Sequence, residues 1–128
     1  MAWTYEQNSG NLLTPEGSVL STGYSGAEPD GKNNPAMQNV KFIGPCPCGR
    51  YTRGEMQATS EHGPDAIPLI PDPTNEMFGR DSFYMHGDNI HIPGTASEGC
   101  IIQPRFARDR FNESDDPILE VVSGLFAT

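Results

Sequence analysis

The chain has 128 residues, with Asp+Glu 17 against Lys+Arg 8, a formal net charge of -9, and 14 Gly and 12 Pro. The Gly and Pro content excludes a helical bundle or coiled coil, because both residues interrupt helix interiors. The acidic balance argues against a nucleic-acid partner, which requires clustered Lys and Arg.

In chain order, the pattern predicts short strands joined by turns. Trp3 and Tyr5 alternate with polar neighbours as a first strand, and Asn8-Ser9-Gly10-Asn11 turns the chain into a return strand at Leu12 and Leu13. Gly17 opens another extended stretch, Ser18 to Gly23, with Val19, Leu20 and Tyr24 as packing candidates. Residues 27–38 read as a loop with one helical turn near Pro35-Ala36-Met37. After the rigid Gly44-Pro45-Cys46-Pro47-Cys48-Gly49 passage, strands are expected at Arg50 to Arg53, Ala66 to Ile70, Phe83 to Met85 and Pro117 to Val122. A helix is expected from Pro104 to Arg110, with Phe106 and Arg110 sharing a face at i,i+4. The fold class is therefore mainly β, a single domain over residues 1–128 large enough to bury a core without disulfides or a metal.

No run approaches the roughly 20 apolar residues that span a bilayer, and the opening MAWTYEQNSGNLL lacks the basic and apolar regions of a signal peptide. Three cysteines cannot all pair within one chain, which fits synthesis in a reducing cytosol. Neither a P-loop nor an EF-hand loop is present. Asp115-Asp116 reads as a solvated turn, and carboxylate spacing alone does not identify glycosidase chemistry.

The stretch FYMHGDNIHIPGTASEGCIIQPR, residues 83–105, carries the chemistry. A cysteine nucleophile needs a nearby base, and His86 and His91 both precede Cys100. His86 is the expected base, because it follows an apolar strand that can hold it rigidly, whereas His91 lies in a loop with Pro93 and Gly94. Gly99 leaves room at the nucleophile for a substrate carbonyl, and the Gly99 and Cys100 amides are candidate oxyanion donors. The competing reading is a small buried cysteine beside an ordinary surface histidine. Cys46 and Cys48, with Cys100 and a histidine, make a possible zinc set. Their one-residue separation and Pro47 instead favour two incidental thiols at a stiff strand entrance.

These residues resemble the active-site signature of the L,D-transpeptidase (YkuD-like) superfamily: a His-Gly pair, a loop, then Ser/Thr-His-Gly-Cys. The type VI secretion L,D-transpeptidase effectors are similar over nearly the whole chain. The shared features are Trp3 and Tyr5, Tyr24-Ser25-Gly26, Lys32-Asn33-Asn34-Pro35, residues 44–51 as Gly-Pro-x-Pro-x-Gly-x-Tyr, then Phe83, His86-Gly87 and Gly99-Cys100-Ile101. Three departures stand out: Glu98 occupies the histidine place before Gly-Cys, Ile102 stands where arginine is common, and Cys46 and Cys48 fill the variable places of Gly-Pro-x-Pro-x-Gly where non-thiol residues are expected.

The resemblance implies a β-sandwich-like catalytic domain. Cys100 would be the nucleophile, His86 the base, the Gly87 carbonyl its orienting partner and Gly99 part of the oxyanion hole. Tyr84, His91, Ser97 and Arg105 are the expected substrate contacts. Arg105 is proposed because a guanidinium fork suits a stem-peptide carboxylate, against the alternative that it simply pairs with Asp109 at i,i+4. The implied substrate is a peptidoglycan stem tetrapeptide, from which terminal D-alanine is removed or exchanged without a cofactor or metal. The implied biology is an antibacterial effector carried by type VI secretion machinery into a rival's periplasm, neutralised at home by an immunity protein, with no membrane insertion. The alternatives are a non-catalytic wall-binding module, or a cysteine peptidase or amidase that cuts another wall bond.

Overall fold

A computed structural model describes residues 2–59 and 62–124. Among the described residues, ten strands and one α-helix run in chain order as β1 (Trp3–Glu6), β2 (Asn11–Leu13), β3 (Val19–Thr22), β4 (Tyr24–Ser25), β5 (Gly49–Arg53), β6 (Gln57–Thr59), β7 (Gly63–Pro71), β8 (Tyr84–His86), β9 (Ile101–Ile102), α1 (Arg105–Glu113) and β10 (Ile118–Val122). A 3-10 turn occupies Pro35–Met37, where Asn34 caps it by accepting a hydrogen bond from the Ala36 amide.

The strands form one hydrogen-bonded system in the order β3-β2-β1-β10-β5-β7-β8-β9-β4, with β6 pairing β7 off this path. The nine-residue β7 is the hinge of the arrangement. Its last residues pair with β5, and Ile67 and Pro68 pair with β8. Inward residues from both halves meet in one core: Trp3, Tyr5, Tyr51, Leu119 and Val121 from the first, and Ile67, Met85 and Ile101 from β7, β8 and β9. The chain is thus mainly β and sandwich-like, as expected. Strict alternation makes this possible, since Trp3 and Tyr5 point inward beside Leu119 and Val121 in a parallel register.

Helix α1 closes one side of the core. Its buried stripe is Ala107, Arg108 and Phe111, and Phe111 meets Trp3 edge-on at 5.4 Å. The Trp3 indole N–H donates to Ser114 Oγ at 3.0 Å, tying the helix end to β1. Here the structure corrects the sequence reading. Phe106 is largely exposed, because the Ala107–Phe111 pair, one position later, faces the core. Pro104 caps the helix in an extended conformation rather than entering it, and the helix continues to Glu113. Val19 is likewise exposed, on an edge strand with one neighbour, while Leu20 packs against the core. The strand β6 was not expected.

Candidate active site

The parallel pair β8–β9 positions the two candidate catalytic side chains, His86 and Cys100. Its register matches Met85 with Ile101 and His86 with Ile102. Extended by one residue, it sets Cys100 beside Tyr84, so Tyr84, His86 and Cys100 share one face of the sheet. That face opens into a cleft of about 820 Å³, whose lining includes Lys41, His62, Arg80, Tyr84, His86, Glu98 and Cys100.

His86 is buried at the end of β8, 3% exposed. Its Nδ1 lies 2.8 Å from the carbonyl oxygen of Gly87. A carbonyl can only accept, so Nδ1 carries the proton and Nε2 keeps its lone pair. Nε2 is buried and has no hydrogen-bond partner. Donor atoms of His62, His86 and Cys100 all lie within 4.8 Å of one another. Burial lowers the His86 pKa from 6.5 to about 4, against the opposing pull of the Gly87 carbonyl, with nearby His62 and Arg108 lowering it further. The imidazole is therefore neutral at neutral pH and able to accept a proton.

This shift has a stability consequence. The unfolded chain protonates His86 near pH 6.5 and the folded chain only near 4, so the unfolded state binds more protons between these values. Stability that is fully present above pH 6.5 should fall by about 3 kcal/mol as pH drops to 4. Urea unfolding at several pH values should show this loss in the wild type. A His86→Asn variant, which cannot titrate, should lack that component of the slope; identical slopes would refute the assignment.

The backbone around Cys100 is held by two buried serines. Ser97 Oγ donates to the Cys100 carbonyl at 2.5 Å and accepts from the amides of Gly26 and Gly99 at 2.9 and 3.0 Å. Ser25 Oγ donates to the Gly99 carbonyl at 2.8 Å and accepts from the Cys46 amide. Gly99 has φ +148, and a Cβ there would lie 2.7 Å from Arg80 Nη2 and 2.9 Å from the Phe83 ring. Only glycine fits without displacing a neighbour. Its amide is engaged by Ser97, so Gly99 contributes room and turn geometry in this state.

Arg80 completes the floor. It is 5% exposed and donates to four backbone carbonyls: Gln38 at 2.5 Å, Pro45 at 2.9 Å, Gly44 at 2.9 Å and Glu98 at 3.3 Å. Burial lowers its pKa, while Cys46, Tyr51 and Cys100 oppose that; a guanidinium nonetheless stays charged at neutral pH. The Gly-Pro passage and the turn before Cys100 are thus tied to one cation within electrostatic reach of Cys100.

Of the residues singled out in the sequence, the structure brings Tyr84, His86, Gly99 and Cys100 to the cleft, with Gly87 and Ser97 supporting them. It does not bring His91 or Arg105 there. His91 is exposed in the loop after β8, with its amide donating to Asn89. Arg105 pairs with Asp65 at 2.6 Å and Asp109 at 3.8 Å, and borders a second hollow shared with Gly87, Asp88 and Ile102. Cys46 and Cys48 lie outside the three-donor cluster. Burial pushes the Cys46 thiol up to about 12 and raises Cys48 too, so neither is poised as a thiolate.

His62 and Arg80 were not anticipated. His62 immediately precedes β7, and its ring stacks on His86 at 4.6 Å and meets Tyr84 at 4.7 Å. The sequence signal available was only that it is one of three histidines.

A family model for the Tlde1 domain matches residues 20–118, a span that runs from within β3 to the first residue of β10 and contains the helix and the entire cleft. No curated protein and no solved structure matches. The matched span covers well over half of the chain, and on that ground the protein belongs to the Tlde1 domain family, type VI secretion effectors that act on peptidoglycan.

Proposed function

We propose that this protein is a cysteine-dependent L,D-transpeptidase/L,D-carboxypeptidase acting on peptidoglycan stem tetrapeptides. The observation that carries the proposal is the cluster of His86 with Cys100, their donor atoms within 4.8 Å, in which the Gly87 carbonyl sets the His86 tautomer and leaves its buried Nε2 unpartnered. A neutral imidazole so placed accepts the thiol proton as Sγ attacks the diaminopimelate carbonyl. The Arg80 cation beneath the turn favours the negative charge that develops at Cys100. The imidazolium then returns its proton to the departing amine of D-alanine, leaving a thioester. Water resolves it to a tripeptide; a D-amino acid or another stem's amine gives exchange or a cross-link.

The cleft suits a substrate that carries both charges. Lys41 lines it alongside Asp81 and Glu98, and the diaminopimelate side-chain centre bears an ammonium and a carboxylate. Tyr84 flanks the nucleophile. The acidic chain cannot attract an acidic stem globally, so recognition is local. In the type VI context of the family, the protein acts in the periplasm of a recipient bacterium, and its producer is protected by an immunity protein.

Incubation with muropeptides, read by mass, tests the activity. Tetrapeptides should lose one alanine, or exchange it for an added D-amino acid. Release of a dipeptide, or separation of glycan from peptide, would replace this reading with a cysteine peptidase or amidase.

A further inference from the structure

We infer that the cleft is also a transition-metal site, in which Cys100 Sγ, His86 Nε2 and a ring nitrogen of His62 hold a zinc ion. One donor atom from each of these three residues already lies within 4.8 Å of the other two. A tetrahedral zinc with ordinary Zn–N and Zn–S lengths needs donor spacings of about 3.4–3.6 Å. Rotation of the half-buried Cys100 and His62 side chains, with the His62 ring tilting out of its stack on His86, would close that gap while His86 stays fixed. One thiolate with two imidazoles is a donor set that zinc favours over magnesium or calcium.

His86 is already arranged as a ligand. Metal-bound histidines commonly donate the other ring N–H to a carbonyl, which fixes the tautomer and aims the free nitrogen. The Gly87 carbonyl does this at 2.8 Å, and the buried Nε2 it aims has no partner. Three protein donors would leave the fourth position to water. Binding deprotonates Cys100 and releases that proton to solvent.

The consequence for activity rests on the proposed function. The ion would occupy both the nucleophile's sulfur and the base's lone pair, so metal-bound and catalytic states exclude each other. Zinc would then hold the enzyme in a silent form, and its removal would switch the enzyme on.

Cobalt(II) titration of the reduced, metal-free protein tests the site by a signal independent of turnover. One equivalent should bind with a sulfur-to-cobalt charge-transfer band and the intense visible bands of four-coordinate cobalt, and zinc should displace it. Cys100→Ala should abolish the charge-transfer band. His62→Ala and His62→Gln, each checked for an unchanged melting transition, should weaken binding at least tenfold. A C46A/C48S variant should keep the full spectrum. Absence of the charge-transfer band, its loss with Cys46 and Cys48, or unaltered affinity in both His62 variants would overturn the proposal. The spectrum decides the site whether or not the metal-free protein trims tetrapeptides. If it does trim them, one equivalent of zinc should stop turnover and a chelator should restore it.

Discussion

Cys100→Ala and Cys100→Ser should each lower tetrapeptide turnover by at least about 10³-fold, as expected when a covalent nucleophile is lost. The fold should be unaffected. The Gly99–Cys100 backbone is held by Ser25 and Ser97 through backbone atoms, which neither substitution removes. Melting temperatures should therefore stay within a few degrees of wild type. Cys46 and Cys48 cannot substitute, because burial raises both thiol pKa values. Near-wild-type turnover by either purified Cys100 variant would remove Cys100 from the mechanism.

Arg80→Met should be the most damaging single change to stability near the site. Methionine approximates the length of arginine but cannot donate, so four backbone carbonyls would lose a charged partner. Hydrogen bonds to charged groups are worth about 1.5–3 kcal/mol each, and unsatisfied buried acceptors carry a further cost. The bonds share one side chain and are not additive, so a loss of about 3–5 kcal/mol is expected by urea unfolding. Arg80→Lys should recover only part of it, because an ammonium cannot reach four carbonyls with a planar fork. Turnover should fall further than the unfolded fraction accounts for, since the cation beneath Cys100 is lost. A change below 1 kcal/mol in Arg80→Met would show that water satisfies these carbonyls without the guanidinium.

The contrast between Cys100 and Arg80 shows what the sequence could reveal. His86-Gly87 and Gly99-Cys100 are local signatures: each pair's chemistry lies in adjacent residues, and the apolar run before His86 marks the strand that holds it. The alternation of Trp3 with Tyr5 likewise marks an inward face, whereas β10 is apolar at Ile118, Leu119, Val121 and Val122, and its pairing with β1 is what turns Leu119 and Val121 inward. Arg80 gave no such sign. A lone arginine in a Gly-Asp-Ser loop reads as solvated, since arginine is rarely fully buried. Its role depends on three carbonyls supplied from residues 38–45, a tertiary arrangement with no local pattern.

His62 was hidden for a similar reason. It reaches His86 because β7 pairs with β8, and the pairing partner of a strand is not written in the strand itself. Arg105 illustrates the converse. Closeness to Cys100 in sequence suggested closeness in space, but two residues of β9 and a proline carry the helix start away, and Asp65 lies beside the guanidinium instead. The helix face differs from the expected one because a helix ending at Arg110 leaves out Phe111, whereas the helix runs on to Glu113 and Phe111 packs against Trp3.

The central claim is that Cys100 forms a thioester with the stem peptide and expels D-alanine. Intact-mass measurement of the protein, quenched in acid during incubation with tetrapeptide, tests it directly. The protein should carry an adduct equal to the tetrapeptide less one alanine, mapped to Cys100 by digestion and absent from Cys100→Ala. Release of D-alanine with no adduct at any quench time and no dependence on Cys100, or an adduct that still contains the terminal alanine, would contradict it.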